Sequence, residues 1–292
     1  MASTRQLKSR IRSVKNTRQI TKAMEMVAAS KMRRSQDATK ASAPYVQAAS
    51  SILTFLASQG ATDEHPLFKR RKISSRLIIL IASDKGLAGA YNANVYKKYV
   101  ELLKRDDDRN IKNHTIAVGR KAAQFVTRLK DTDVVGTYQD TPDYPSGLTF
   151  HTILNTATGM YERHEVDAVT VVYTNFVSSI RQDAAWMRLL PAGTELMSDP
   201  AEIKDDTRDA KFEPDVPSLL DAVAQRLVGS KLFQAFLDAK ASEHSMRMLA
   251  MKNASDNAGD IVDALTLEMN KARQAGITQE LSEISAGVEA MG

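Results

Sequence analysis

The chain has 292 residues, 43% of them apolar, which is enough for at least one core, and a net charge of only +5. It has no cysteine, so disulfides, thiolate metal sites and cysteine nucleophiles are excluded. No apolar run approaches the roughly 18 residues of a membrane span, the longest clean one being Leu77 to Ala82, and the basic start, Met1 to Arg12, has no apolar stretch of a secretory signal and reads as mature protein.

Proline divides the chain. The eight prolines stand at 44, 66, 142, 145, 191, 200, 214 and 217, leaving the two ends almost free of them. Residues 1–60 are expected to form one long helix, capped near Ser3 or Thr4 and kinked or interrupted at Pro44. Leu7, Ile11 and Val14 form a stripe at 4-3 spacing, whereas Ile20, Met24 and Val27 fall on nearly the opposite side before Ala29 and Met32 return to the first face. A helix with apolar groups on two sides at different heights is expected to touch two different neighbours. No glycine or proline near Asn16 marks a break.

The middle, 74–210, changes period. Arg76 to Ala82 reads as a buried strand, followed by a helix over 93–104, a strand over 114–118, a helix over 120–129 and a short strand at 134–135. A helix over 148–161, a strand over 168–174 and a last strand over 185–190 complete it. Alternating strands and helices predict a mostly parallel, Rossmann-like sheet with helices on both faces. The stretch from Gly193 to Pro217 reads as an acidic loop.

Residues 211–292 are expected to form the second long helix. Leu220, Val223, Leu227 and Val228 give its first stripe. Ala254, Ala258, Ile261, Leu265 and Ala272 follow 4-3 steps on one face, and Ile277, Leu281, Ile284 and Val288 form a second, rotated stripe after Gly276. Residues 1–35 carry ten Lys/Arg against Glu25 alone, while 254–292 carry seven acids against Lys271 and Arg273. Opposite charge, small residues and attachment to one central domain predict that the end helices pair antiparallel as a coiled coil. Met24, Met26, Met32, Met246, Met248, Met251 and Met269 concentrate on these helices. Most read as core, and Met24 and Met26 suit a surface that repacks against changing neighbours.

Catalytic signatures are sparse. There is no GxxxxGK[ST] loop, no HExxH pair and no GxSxG. Ser83 to Gly89 is a glycine-rich turn after the first strand, but its GxxG spacing lacks the Rossmann fingerprint, and it is read as a demanding turn that presents a loop to a partner. Asp106, Asp107 and Asp108 read as a solvated loop or, at most, a weak metal site. The basic N-terminal helix has few aromatics to stack bases, which leaves duplex binding by charge alone as an alternative. A phosphate-binding enzyme built on the Gly86 loop is a third.

Longer motifs then become recognisable. The segment from Ile20 to Met32 resembles the N-terminal signature of the F-type ATP synthase gamma subunit family. Ser83 to Gly89 is similar to that family's central loop, and Asn270 to Ile284 to its C-terminal signature. Ser242 to Arg247 and Met251 to Gly259 extend the likeness, in order, over the whole chain.

The resemblance implies a bacterial rotor subunit with no catalytic residues, cofactor or metal of its own. It would couple proton translocation through the membrane c-ring to ATP synthesis or hydrolysis on a hexamer of alpha and beta subunits. The epsilon subunit would be a further partner. The chain would sit peripherally at the cytoplasmic face of the cell membrane, without nucleic acid and without entering the bilayer. Carried onto matching positions, Lys22, Met24, Lys85, Gly86, Arg273, Gln274, Thr278 and Glu280 would contact catalytic subunits. Arg247 would lie near the coupling region, and Phe212 at the foot by the ring. Departures are local. Ala88 stands where many members have cysteine, Glu268-Met269 replaces a commoner apolar-Tyr pair, and Gly276 is expected to interrupt the last helix.

Overall fold

A computed structural model describes residues 4–58, 62, 65–129, 132–145, 147–192 and 216–289. In chain order the elements are α1 (Thr4–Ser58), β1 (Ser75–Ile81), α2 (Tyr91–Asp107), β2 (Lys112–Val118) and α3 (Arg120–Val126). They continue with β3 (Asp133–Tyr138), α4 (Leu148–Glu162), β4 (Ala168–Phe176), β5 (Gln182–Leu190) and α5 (Val216–Glu289). The chain divides into two compact units, one of residues 30–246 and one that joins 1–29 to 247–292.

The larger unit is built on a five-stranded sheet in the order β3-β2-β1-β4-β5. The first four strands run parallel and β5 joins β4 antiparallel. β1 lies at the centre and is buried on both faces, which is why its sequence is an unbroken apolar run rather than an alternating one. Its two faces feed two cores. Ile78 and Leu80 pack with Val95, Tyr99 and Leu102 of α2 and with Ala122 and Val126 of α3. Leu77, Ile79 and Ile81 face Ile153, Ala157 and Tyr161 of α4 and the stretch of α5 from Leu220 to Ala239. The first five turns of α5 are thus part of this sheet's second layer, which explains the apolar stripe at Leu220, Val223, Leu227 and Val228.

Asp106 departs from the expected solvated loop. Its carboxylate is fully buried at the end of α2 and binds Arg76 of β1 twice, at 2.6 Å from Nε and 3.2 Å from Nη2. The remaining donor, Nη1, reaches Thr170 Oγ1 of β4 at 2.8 Å. A buried carboxylate with a bidentate guanidinium partner is a structural ion pair. Among the described residues no group of His, Asp or Glu is placed to hold a metal.

The smaller unit is an antiparallel helix pair. Leu7 and Ile11 of α1 pack against Val262 and Leu265 of α5, with Val14, Met269 and Ala272 alongside. Further along α1, the Arg18 guanidinium lies over Gly259, and Lys22 shares a groove with Ser255 and Asp256. Residue numbers rise on one helix as they fall on the other, so the pair is antiparallel, as expected.

The seam of α5 follows Met251, Ser255, Ala258, Val262, Leu265, Met269 and Ala272, which is unbroken 4-3 spacing. Ile261, expected on the buried face, is half exposed, and Val262 holds the seam in its place. Likewise Ala28, not Ala29, returns to the first face on α1. Neither Pro44 nor Gly276 breaks its helix.

Candidate functional site

On the smaller unit, apolar side chains point away from the seam. Ile20, Met26 and Val27 of α1 and Ile261, Leu267, Ile277, Leu281 and Ile284 of α5 are all between 50% and 64% exposed. Single exposed apolar residues are ordinary, but Ile277, Leu281 and Ile284 recur at 4-3 steps and form a stripe. Beyond Ala272 no described residue of α5 is buried. A bare helix of this length holds together poorly in water unless something covers it.

Six of the residues expected to make partner contacts, Lys22, Met24, Arg273, Gln274, Thr278 and Glu280, belong to this unit. Lys22 is exposed and paired with Glu25 at 3.0 Å, and Met24 is half-buried. Arg273, Gln274, Thr278 and Glu280 are exposed along the last turns of α5, where the Thr278 hydroxyl donates to the Gln274 carbonyl at 3.0 Å. Lys15, Arg18 and Lys22 line a groove of about 530 Å³ with Gln19, Ala23, Met26, Ser255 and Asp256. Three cations and one carboxylate line this groove, which gives it a positive balance of charge. Arg247 is buried. Phe212 lies outside the described residues.

In the larger unit, Lys85 and Gly86 are exposed on the loop after β1. In a doubly wound sheet a ligand would sit beyond the carboxyl ends of the strands, here between β1 and β4. This chain fills that place with its own α5. Lys240 Nζ lies 3.7 Å from Asp84 beyond β1 and donates to the Thr141 carbonyl beyond β3 at 3.3 Å. The Ser242 hydroxyl donates to the Thr174 carbonyl of β4 at 3.3 Å, and that of Ser245 to the Ser179 carbonyl at 2.7 Å. His244 Nε2 is 2.8 Å from Asp143, which also pairs with Lys31 of α1 at 2.8 Å. The crevice beyond the strand ends is thus occupied by α5, while the tip of the glycine-rich turn, Lys85 to Leu87, stays exposed.

Sequence reasoning missed this cluster. Lys240, Ser242, Glu243, His244 and Ser245 are all buried although consecutive in a helix. The available signal was their lack of periodicity, since polar residues on every face of a helix need partners on every face.

The charges behave accordingly. Burial alone would raise the Asp84 carboxyl, but the N–H groups of Arg120 and Asp140, the Lys240 charge and the Thr141 hydroxyl together hold it below its ordinary range. Asp143 is held well below that range, chiefly by its bond from His244 and, against the effect of burial, also by Lys31. Both carboxylates stabilise the fold above the unfolded value near 4, and that contribution is lost as pH falls below it.

Asp238 has the opposite sign. Burial pushes its carboxyl up to about 6. Its protonated form suits the fold, so stability falls as pH rises from about 4, where the unfolded group ionises, to about 6, and is level above. Asp238→Asn is therefore expected to stabilise the chain by about 1–3 kcal/mol at pH 7.5 and by nothing below pH 4. Urea melts at the two pH values check this, and an equal effect at both would rule out ionisation as the cause.

These features define a class: an α/β protein with an antiparallel pair of very long end helices, its ligand crevice occupied by its own chain and its outer helix faces suited to cover by other chains. The family described as ATP synthase matches residues 3–291. ATP synthase gamma chains of Staphylococcus aureus strains JH9 and Newman are each 37% identical over 291 residues, spanning all of both chains. In fold, the chain is similar to one in the F1 and c-ring structure of Euglena gracilis mitochondrial ATP synthase, with TM-score 0.64, 19% identity and coverage of 99% of this chain and 94% of that one. A chain of the Tetrahymena thermophila central stalk and c-ring structure gives TM-score 0.56 at 24% identity, covering 81% of this chain and 99% of that one. The chain belongs to the ATP synthase gamma chain family, and is a component of an ATP synthase.

Proposed function

We propose that the chain is the non-catalytic shaft of the rotor, turning inside a hexamer of alpha and beta subunits and driven through the membrane c-ring. The observation that carries this reading is the apolar stripe at Ile277, Leu281 and Ile284, exposed on a single helix beyond its partner's reach. A shaft needs such a surface, because a rotor acts only by contacting successive neighbours unequally. The lopsided surface of the helix pair, with cations around Lys22 and apolar groups at Ile20 and Val27, supplies that inequality.

In this reading Lys22, Met24, Arg273, Gln274, Thr278 and Glu280 meet the catalytic subunits, as do Lys85 and Gly86 on their loop. Arg247 serves the coupling region, and the epsilon subunit and c-ring are the further partners, with Phe212 proposed at the ring. The domain limits that go with it are a helix over 1–60, a central domain over 74–210 and a second helix over 211–292. No helix among the described residues is long and apolar enough to cross a membrane, which suits a peripheral position at the cytoplasmic face.

The chain alone is expected to hydrolyse no ATP, to co-purify with alpha and beta subunits, and, as Met24→Cys, to form a cross-link to a catalytic subunit in the assembled complex. Hydrolysis by the isolated chain, or its purification free of alpha and beta when all are co-expressed, would remove the proposal. A duplex-DNA complex that weakens steeply with salt would favour the nucleic-acid alternative instead.

A further inference from the structure

The stretch leading into β1 carries four consecutive cations, Lys69, Arg70, Arg71 and Lys72, across the amino ends of the strands. Its main chain is pinned there. The Ala192 N–H donates to the Leu67 carbonyl at 2.7 Å, and the Tyr161 hydroxyl to the Lys69 carbonyl at 2.8 Å. The Ser74 and Ser75 N–H groups both donate to Asp167 Oδ2, at 2.9 and 3.1 Å, and the Lys112 N–H donates to the Ser74 carbonyl at 2.9 Å. Arg71 turns inward, its Nη2 donating to the Tyr161 carbonyl at 2.9 Å and its guanidinium lying 4.3 Å over the Tyr161 ring. Lys69, Arg70 and Lys72 are left exposed on this mount, as is Lys112 at the start of β2.

Acids at the same end of the sheet are largely engaged within the fold. Asp167 holds the two serine N–H groups, and Asp106 holds Arg76. Asp133 pairs with His114 and Glu165 with Arg163, each at 2.7 Å. Asp107, Asp108 and Glu162 are the exposed exceptions. Among the described residues, none of the exposed large apolar side chains lies within 65–75, 104–114 or 161–168. A specific protein interface is usually centred on buried apolar anchors. A layer of anionic lipid headgroups asks only for cations spread over a surface.

We infer that this end of the sheet docks on the anionic headgroups of the bilayer, with Lys69, Arg70, Lys72 and Lys112 as its cations. The inference rests on the proposed function for bringing the bilayer near. The same end holds the start of α5, where His65 Nε2 lies 3.5 Å from Asp221, and that reading puts the stretch just before α5, around Phe212, at the ring. The opposite end of the sheet is taken by α5 residues 240–245.

The test mixes the full chain with vesicles of phosphatidylcholine, with or without phosphatidylglycerol, and reads the bound fraction after sedimentation. Wild type is expected to bind only the anionic vesicles, and less as salt rises. Arg70→Glu with Lys72→Glu should weaken that binding about tenfold or more. Lys8→Glu with Arg12→Glu removes the same charge from exposed positions of α1 and should stay within about threefold of wild type. Arg70→Lys with Lys72→Arg should bind as wild type, because a fluid headgroup layer reads charge rather than side-chain shape. Equal losses in the two reversed pairs, equal binding to both kinds of vesicle, or loss in the charge-keeping pair overturns the surface. So does a loss confined to binding of purified c-ring, which makes it a protein contact. Co-purification with alpha and beta subunits should be unchanged in Arg70→Glu with Lys72→Glu. A wild type that fails to co-purify overturns the proposed function, while the vesicle result stands or falls by itself.

Discussion

Asp106→Ala is expected to destabilise the chain by about 3–5 kcal/mol, because it strands a buried guanidinium. Arg76 and Asp106 side chains are 9% and 0% exposed, and two of the three bonds that Arg76 makes go to this one carboxylate. After the substitution only Thr170 Oγ1 remains near it.

Removing both charges is a different experiment. Arg76→Leu combined with Asp106→Leu should be near neutral, since it leaves no uncompensated ion. The exposed pair Arg163–Glu165 is a control, with side chains 63% and 48% exposed. Glu165→Ala should cost no more than about 0.5 kcal/mol. Urea midpoints at constant slope measure all three. A single mutant no worse than the double would show that the pair is not what holds α2 to the sheet.

That ion pair also illustrates what a sequence hides. Three consecutive aspartates near basic residues look solvated, and the partner that buries the first lies 30 positions away on β1. Nothing local distinguishes Asp106 from Asp107 or Asp108. The sheet itself was plain to read, because a central parallel strand must be apolar on both faces and few other segments are. The long end helices were plain because the two ends hold almost no proline, Pro44 within α1 and Pro217 at the start of α5 being the exceptions.

The face of the coiled coil was only half legible. Ile261 and Val262 both fit 4-3 spacing through Ala258 and Leu265, the first with Ala254 and the second with Ser255 and Met269. The second set is the one packed against α1, and helices that wind around each other stay in contact along such a 3.5-residue repeat. The isoleucine that apolarity would bury is then left facing outward, where the proposed function has use for it. The same reasoning applies to α5 between Lys240 and Ser245. Its polar residues keep to no single face because every one of its faces is inside.

Gly119→Ala is expected to be the most damaging glycine-to-alanine change among the described residues. The backbone at Gly119 has φ of +95°, and a Cβ there would lie 2.2 Å from the Ala82 carbonyl oxygen, 2.9 Å from its carbon and 3.1 Å from the Ser83 oxygen. All three are main-chain atoms at the carboxyl end of β1, with no flexible side chain able to swing aside. They are also held from the other direction. The Ala82 N–H donates to the Val118 carbonyl at 2.9 Å, and the Gly119 N–H to that of Tyr138 at 2.7 Å, so relief of the clash breaks the sheet.

Left-handed strain contributes about 1–3 kcal/mol and the clash more. The sum exceeds about 4 kcal/mol, a large part of a typical total stability of about 5–15 kcal/mol. Ser83 and Asp84 would be the first residues displaced, which would also release the bonds from Arg120 and Asp140 that fix the loop.

Gly86→Ala is the informative contrast. A Cβ at Gly86 meets open space, and its backbone is not left-handed, so the free chain should be unchanged or stabilised by up to about 1 kcal/mol. Any loss of assembly with alpha and beta subunits in that variant then arises at the interface rather than in the fold. One glycine exists because the chain's own backbone comes too close for a methyl. The other stands where only another molecule would object to one, and the two variants compared by melting and by co-purification separate those reasons directly.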